Sequence, residues 1–183
     1  MSIATKTGDS GTTGRLYGSR VSKTSPHITS VGDIDELNAA MGSARAHMSS
    51  SIYASTIQHI QKSLTLLMGE VVAEPEKRKE YYTKFNSLDD YDLIRLEDEL
   101  ASLEKDPRTK QKDWVLYGNS IIGANCDFAA KVCRRAERSL LLVKEYEDTL
   151  TLSTEESLRP LLFKYINRLS DFLHVLARYF DSL

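Results

Sequence analysis

Apolar residues recur every three or four positions along most of the chain, which is the spacing of an amphipathic α-helix. The pattern extends over five segments, at residues 26–47, 53–73, 88–104, 125–143 and 154–180. No strand, internal repeat or low-complexity segment is evident between them. Residues 75–86 are charged and irregular and are predicted to form a surface loop. The pattern therefore predicts an all-α fold, a five-helix up-and-down bundle.

The central helix, around residues 125–143, divides into two faces at 3.6 residues per turn. The apolar face, predicted to lie in the core, consists of Ile121, Phe128, Val132, Ala136 and Val143. The opposite face consists of Asp127, Ala130, Arg134, Glu137 and Arg138. This second face can be a solvated surface with ion pairs. It can also grip a polyanion, since Arg134 and Arg138 lie one turn apart with Glu137 between them.

Two other helices have polar positions opposite their core residues. Asp35 points away from the apolar stripe of the first helix, so it is available to solvent or to another subunit. The last helix carries a polar stripe that consists of Asn167, Asp171, His174 and Arg178. Before the central helix, either Asn119 or Ser120 is a suitable N-cap.

Residues 5–15 are rich in glycine, serine and threonine, which predicts a loop. Glycines let a backbone approach a ligand closely, hydroxyl and amide groups can bind phosphate oxygens, and Lys6, Arg15 and Lys23 add positive charge. The segment is not a Walker A loop, because no Gly-Lys-Ser/Thr follows at the required spacing. A flexible N-terminal tail is the other interpretation.

Composition narrows the classes of function. A chain of 183 residues fits one domain with a sizeable core, and a net charge of −2 gives no indication of a nucleic acid or membrane partner. No apolar run has the length of a membrane span. The first residues contain no targeting segment, so we expect a cytoplasmic protein, or a mitochondrial one only if a transit peptide was removed. Cys126 and Cys133 are expected to be reduced packing residues, and the scattered histidines give no expectation of a protein-ligated metal.

Six short motifs follow one another along the chain. They are Thr5-Lys6-Thr7-Gly8-Asp9-x-Gly11-x-Thr13, Arg20-Val21-Ser22-Lys23, Asp35-Glu36-Leu37-Asn38, Val132-Cys133-Arg134-Arg135-Ala136-Glu137-Arg138, Asn167-Arg168-Leu169-Ser170-Asp171 and Ala177-Arg178-Tyr179. In this order they resemble the PduO-type ATP:cob(I)alamin adenosyltransferases, and the resemblance covers nearly the whole chain. Any one motif would be weak, but six in order are specific.

The resemblance implies a homotrimer of five-helix bundles with active sites between subunits. Residues 1–183 would form one cobalamin adenosyltransferase-like domain, in which residues 1–25 are the ATP-binding loop. The implied reaction transfers the 5′-deoxyadenosyl group of ATP, bound with Mg²⁺, to cob(I)alamin, giving adenosylcobalamin and triphosphate. A reductase and an adenosylcobalamin-dependent enzyme are the further partners that such a reaction implies.

The resemblance also implies roles for individual residues. The triphosphate and its magnesium ion would be held by Thr5, Lys6, Thr7, Gly8, Asp9, Gly11, Thr13 and Lys23. The nucleotide site would be completed by Arg134, Glu137, Arg138 and Asn167. Of these, Arg134 and Arg138 would stabilise the charge of the departing triphosphate. Asp35 would lie at the cobalamin side of the subunit boundary, and Trp114 would face the lower side of the corrin, although a core tryptophan is an equal interpretation.

The chain departs from the family pattern on the cobalamin side. The turn that is usually Pro-Gly-Gly reads Tyr117-Gly118-Asn119, and the usual Leu-His-x-Ala-Arg reads Cys126-Asp127-Phe128-Ala129-Ala130. Ala130 thus replaces the arginine that pairs with Asp35 of a neighbouring subunit, at a position expected to point toward the subunit boundary. Three functions stay open: an active adenosyltransferase, a trimeric ATP-binding relative with lost or altered corrin chemistry (a sensor or pseudoenzyme), and a structural helical oligomer.

Overall fold

The computed structural model describes residues 6–48, 51–111 and 114–183. The described part contains β1 (Thr12–Gly14), β2 (Arg20–Ser22), α1 (Pro26–Ala46), α2 (Tyr53–Val72), α3 (Arg78–Lys84), α4 (Asp90–Lys105), α5 (Ile121–Asp148) and α6 (Pro160–Asp181). Single turns of 3₁₀ helix, Pro75–Lys77 and Pro107–Thr109, precede α3 and follow α4. The all-α bundle is confirmed. The short helix α3 and the two strands are additions that the sequence pattern did not predict.

Local chemistry sets the ends of the helices. Ser120 is the N-cap of α5, and its Oγ accepts the N–H of Gly123 at 2.8 Å, which selects it from the two predicted caps. In α4, Asp89 and Asp92 form a capping box. Helix α6 begins at Pro160, because the residue before a proline is disfavoured in the helical conformation. The predicted start at residue 154 is therefore wrong.

The core lies between α5 and the two helices that pack along it, α1 and α6. Helix α2 packs on α1, and α4 packs on α6, so five long helices share one core. Each contributes a buried aliphatic face, with Leu37 in α1, Leu64 in α2 and Leu169 in α6 as predicted examples. Among the described residues, none of these helices is both long enough and apolar enough to cross a membrane.

The buried face of α5 is rotated relative to the predicted one. Ile121 and Phe128 are 68% and 58% exposed, whereas Asp127 and Ala130, predicted on the polar face, are 2% and 1% exposed. The residues of the predicted core face that are buried are Val132, Ala136 and Val143. Helix α5 packs on two helices at once, and small side chains such as Ala130 allow close helix contact. The large apolar residues at one side of α5 are left outside this contact.

The N-terminal hairpin is attached to the bundle. Strands β1 and β2 pair antiparallel, and the Arg15 side chain that follows β1 donates to the carbonyl oxygens of Val72 and Ala73 at 3.0 and 2.6 Å. These two carbonyl groups lie at the end of α2, where a helix leaves acceptors unused. The flexible-tail interpretation is therefore wrong for residues 12–22, and so is the expectation that the chain has no strand.

A buried ion cluster joins α1, α3 and α5. The Oε1 of Glu147 lies 2.7 Å from His27 Nε2 and accepts from Arg78 Nη2 at 2.6 Å, while its Oε2 accepts from Arg78 Nη1 at 2.9 Å. Burial opposes ionisation of Glu147, but the hydrogen bonds from His27 and Arg78 outweigh it and lower the pKa to about 2. Because Arg78 is fully buried, the prediction of a surface loop over residues 75–86 is wrong.

We expect Glu147→Gln to lower the free energy of unfolding by about 3 kcal/mol at pH 7, because it leaves the buried Arg78 without its carboxylate. A carboxylate with a lowered pKa stabilises the fold above its unfolded pKa, and this stability is lost as the pH falls toward the folded pKa of about 2. The wild type should therefore lose more stability than the variant between about pH 5 and pH 2.

Urea unfolding followed by circular dichroism at one protein concentration measures both effects. Glu155→Gln is the matched control, because Glu155 pairs with Lys79 at the surface. Equal effects of the two substitutions would contradict the structural role of the Glu147 cluster.

Candidate functional site

The candidate site includes two arginines on the exposed side of α5. Arg134 and Arg138 are exposed, and neither makes an ion pair or hydrogen bond within residues 6–48, 51–111 and 114–183. The neighbouring Arg135 differs, because its Nε lies 3.5 Å from Asp33 Oδ1 and its Nη2 pairs with Glu36. Arg134 and Arg138 therefore have their guanidinium donors available for an anion such as a phosphate group.

Glu137 and Asn167 lie beside these arginines and join α5 to α6. The Nδ2 of Asn167 donates to Glu137 Oε1 at 2.9 Å. Beneath this pair the two helices are in close contact, since the Sγ of Cys133 lies 3.3 Å from the carbonyl oxygen of Ile166. The structure thus brings together four of the predicted nucleotide-site residues, on two helices that the core holds in register.

The N-terminal loop gathers a second group of predicted residues. The Lys23 N–H donates to the Gly11 carbonyl at 2.9 Å, and Gly11 has the left-handed φ of +78° that favours glycine. Lys23 also approaches Gly8, where a β-carbon would lie 3.0 Å from its Nζ. Arg20 Nη2 donates to the Thr7 carbonyl at 2.6 Å and holds the start of the loop against β1.

The loop group as described consists of Lys6, Thr7, Gly8, Asp9, Gly11, Thr13 and Lys23. Thr5, which was predicted with it, lies outside the described residues. Lys6 has a left-handed φ of 58°, which is uncommon for a residue with a side chain. The loop therefore combines backbone turns, hydroxyl groups and two lysines, the components expected of an anion-binding loop.

The two groups lie on different elements, one on the N-terminal loop and the other on α5 and α6. In the described part, no ion pair or hydrogen bond joins Lys6 or Lys23 to the group on α5 and α6. A pocket of about 620 Å³ near His27 and Tyr146 is lined by Arg15, Val21 and Ser25 of the N-terminal segment, but by none of the individually predicted ATP- or cobalamin-binding residues.

The two predicted cobalamin-side residues are both accessible. Trp114 is 93% exposed, so the interpretation of a core tryptophan is wrong. It lines a pocket of about 380 Å³, together with Asn119, Arg178 and Asp181. Asp35 is exposed on α1, as its position predicts. An exposed tryptophan beside a pocket is typical of a surface that contacts a ligand or a partner.

A second buried ion cluster lies next to this pocket. Arg178, predicted on a polar stripe, is 4% exposed and pairs with Asp127. Burial raises the pKa of Asp127 against the opposing effects of Arg178 and Lys131. Burial also lowers the pKa of His174, with Arg178 and Lys131 acting in the same direction. Helical periodicity placed Asp127 and Arg178 on polar faces opposite the core, and only their opposite charges in two adjacent helices could have suggested this pair.

Metal ligation by the protein has no support among the described residues, where no group of three or more His, Cys, Asp or Glu side chains is placed to hold an ion. The two cysteines are free and buried. Burial raises the pKa of Cys126 to about 12, so this thiol stays protonated at neutral pH.

Comparisons with known proteins agree on one family. A family model described as Cobalamin adenosyltransferase matches residues 3–180. A cobalamin adenosyltransferase of Cupriavidus metallidurans is 36% identical over 184 residues, which cover 96% of this chain and 86% of that protein. The corrinoid adenosyltransferase PduO of Citrobacter freundii is 35% identical over 184 residues, 97% of this chain and 49% of the relative. The chain thus spans about half the length of the PduO relatives from Citrobacter freundii and Salmonella typhimurium.

A solved structure confirms the fold. A variant PduO-type ATP:corrinoid adenosyltransferase from Lactobacillus reuteri, solved in complex with cobalamin and ATP, matches with a TM-score of 0.80. The match covers 98% of this chain and 91% of the other at 23% sequence identity. The arrangement of the helices is therefore shared.

The burial of Ala130 predicts the effect of an arginine at this position. We expect Ala130→Arg to lower the free energy of unfolding by about 2 kcal/mol, because the added side chain overpacks the contact of α5. The burial of Ala130 shows that the expectation of a surface position pointing toward a subunit boundary is wrong. Urea unfolding measures the change, with Ala101→Arg on the exposed face of α4 as the control. An unchanged midpoint for Ala130→Arg would show that the position is open to solvent or to a partner.

Proposed function

The chain belongs to the cobalamin adenosyltransferase family, and we propose that it transfers the 5′-deoxyadenosyl group of ATP to cob(I)alamin, giving adenosylcobalamin and triphosphate. The observation that supports this most is the exposed pair Arg134 and Arg138, which lacks partners in the described part and lies beside Glu137 and Asn167. Relatives named corrinoid or cobalamin adenosyltransferase match the chain over nearly all of its length.

In this reaction the cobalt(I) nucleophile supplies an electron pair to the 5′-carbon of ATP. A cobalt–carbon bond forms, the carbon–oxygen bond breaks, and triphosphate leaves with the electron pair of that bond. Both reacting groups belong to substrates, so the protein contributes positioning and charge stabilisation. Arg134 and Arg138 would stabilise the departing triphosphate. Lys6 and Lys23, with the hydroxyl and amide groups of the loop, would bind the triphosphate and its Mg²⁺.

In the described part, Lys6 and Lys23 form no hydrogen bond or ion pair with α5 or α6, which favours a site shared between subunits. We propose a homotrimer in which the loop of one subunit covers ATP bound at α5 of the next. The apolar side chains that α5 exposes support an interface, since Ile121, Phe128 and Leu142 lie on its outer side. A closed ring of identical subunits would complete each site with residues of two chains.

The residues predicted on the cobalamin side favour a second function, that of an ATP-binding relative with lost or altered corrin chemistry. Ala130 and Asp127 depart from the family pattern, and neither reaches the surface. An ATP-binding trimer with altered corrin chemistry, such as a sensor, would keep the exposed arginines and lose turnover. Asp35 and Trp114 are the residues we assign to the cobalamin side in either case.

The arginine pair predicts the result of an ATP-binding experiment. Arg134→Ala and Arg138→Ala should each weaken ATP binding about tenfold or more, because each removes a charged contact to phosphate. Their unfolding midpoints should stay near that of the wild type, because no partner within the described residues is lost. Calorimetry measures affinity, and ATP-dependent loss of the cob(I)alamin spectrum measures turnover.

Arg135→Ala is the matched control for this experiment, because Arg135 is an arginine of the same helix that already pairs with Asp33 and Glu36. ATP affinity should stay within about twofold of wild type. If Arg134→Ala also left affinity unchanged, the nucleotide site would be wrongly assigned. ATP binding without any spectral change in the wild type would favour the sensor.

The shared site predicts complementation between inactive subunits. Lys23→Ala and Arg134→Ala homotrimers should each be nearly inactive, because every site lacks one contribution. Random mixing of the two variants should restore about a quarter of wild-type activity, since that fraction of sites combines an intact loop with an intact α5. Light scattering on the same samples should give the mass of a trimer. A monomer mass, or no restored activity after exchange of subunits, would overturn the shared site.

A further inference from the structure

Arg178 connects two of the residues at which the chain departs from the family pattern. The Oδ2 of Asp127 pairs with Arg178 Nη2, and the guanidinium carbon lies 5.7 Å from the centroid of the Tyr117 ring. Lys131 Nζ lies 4.7 Å from the same ring, so two cations face one aromatic side chain. Tyr117 and Asp127 are therefore physically coupled through one buried guanidinium.

The same arginine is linked to the segment that precedes α5. Arg178 Nη2 lies 3.1 Å from Asp181 Oδ2, and Asp181 Oδ1 accepts the N–H and the hydroxyl of Ser120 at 3.0 and 3.2 Å. Ser120 is the N-cap of α5, so these contacts tie the end of α6 to the start of α5. A β-carbon at Gly123 would lie 2.0 Å from Asp181 Oδ1, which shows how closely the carboxylate approaches the helix.

The segment held in this way presents large apolar side chains to solvent. Trp114, Leu116 and Tyr117 are all exposed, and Arg178 and Asp181 lie in the wall of the pocket beside Trp114. A shift of Arg178 would therefore move or release the segment of residues 114–119. Fixing the position of such a segment in advance lowers the ordering cost of binding the flat apolar face of a macrocycle.

The polar atoms of this cluster are incompletely paired. In the described part, Nε and Nη1 of Arg178 and Oδ1 of Asp127 are buried without a hydrogen-bond partner. Unpaired buried polar atoms reduce stability. The cluster is therefore better explained by the segment that it positions than by stability that it adds.

We propose that Arg178, held by Asp127 and Asp181, is a positioning residue for the corrin substrate and fixes residues 114–119 against the corrin. The inference rests on the proposed function. It assigns Asp127 and Tyr117 as a coupled pair that acts through Arg178, where the family usually has other residues. The affinity for the corrinoid should therefore depend on both residues together, while the affinity for ATP should not.

The test compares Asp127→Asn, Tyr117→Leu and the double variant with the wild type. The KM for cob(I)alamin should rise about tenfold in each single variant, and the KM for ATP should stay within about twofold. The double variant should be no more than about twofold worse than either single one, because both remove the same positioning. Trp114 is the single tryptophan of the chain, so quenching of its fluorescence by hydroxocobalamin gives corrinoid affinity without turnover.

Two further variants keep the test specific. Asp127→Glu retains the charge and should recover part of the corrinoid affinity that Asp127→Asn loses. Asp148→Asn is the control, because Asp148 lies on the same helix and pairs with Lys144 at the surface. If Asp127→Asn does not fold, Tyr117→Leu, at an exposed position, still tests the positioning role. It should raise the KM for cob(I)alamin and leave the KM for ATP unchanged.

The outcomes separate this inference from the proposed function. The positioning role alone is overturned if the wild type consumes cob(I)alamin and the variants show either additive effects or equal rises in the KM for cob(I)alamin and the KM for ATP. If hydroxocobalamin quenches Trp114 fluorescence in the wild type but the wild type does not consume cob(I)alamin, the proposed reaction is overturned. The corrinoid titrations of the variants then decide the positioning role. A wild type that neither binds the corrinoid nor consumes it overturns both.

Discussion

The simultaneous packing of α5 against α1 and α6 is the constraint on which the rest of the structure depends. Only the sector of α5 that neither helix covers can meet a ligand, and Arg134 and Arg138 lie in that sector. Toward its two ends, α5 places an acidic side chain in the interior, Asp127 toward α6 and Glu147 toward α1 and α3. Rotation or sliding of α5 would break these pairs, so they fix the direction in which the two arginines point.

The long helices could be predicted because their signal is local. Residues 26–47 and 53–73 agree with α1 and α2 to within a residue at each end. The rotation of α5 could not be predicted in this way. Periodicity gives most weight to large apolar residues such as Phe128, whereas the close contact with neighbouring helices is made by small ones such as Ala130. The burial of Arg78 was also inaccessible, because it depends on Glu147, which is distant in sequence.

The candidate site also has a part that could be predicted from the sequence and a part that could not. Glu137 and Asn167 could be brought together from the sequence, because each lies on a polar stripe and the family resemblance joins the two motifs; their contact follows from the packing of α5 on α6. In the proposed homotrimer, the N-terminal loop would meet α5 of another copy of the chain, and helical spacing does not describe a contact of that kind. The pocket of about 620 Å³ in a single chain includes Arg15 of the N-terminal segment but none of the individually assigned ATP- or cobalamin-binding residues. A site that closes on assembly leaves exposed charge and apolar surface in the subunit instead of a cavity.

The carboxylates of the two buried ion clusters on α5 differ in how completely they are paired, although in the described part Arg78 Nε also lacks a hydrogen-bond partner. Both carboxylate oxygens of Glu147 are used, because Arg78 and His27 contact them and the Leu158 N–H approaches at 3.3 Å. In the described part, one oxygen of Asp127 has no hydrogen bond, and His174 Nδ1 lies 3.7 Å from it. A fully paired buried carboxylate adds more stability than a partly paired one. The Glu147 cluster therefore contributes mainly to the stability of the bundle, whereas the Asp127 cluster is the one to which we assign the positioning of residues 114–119.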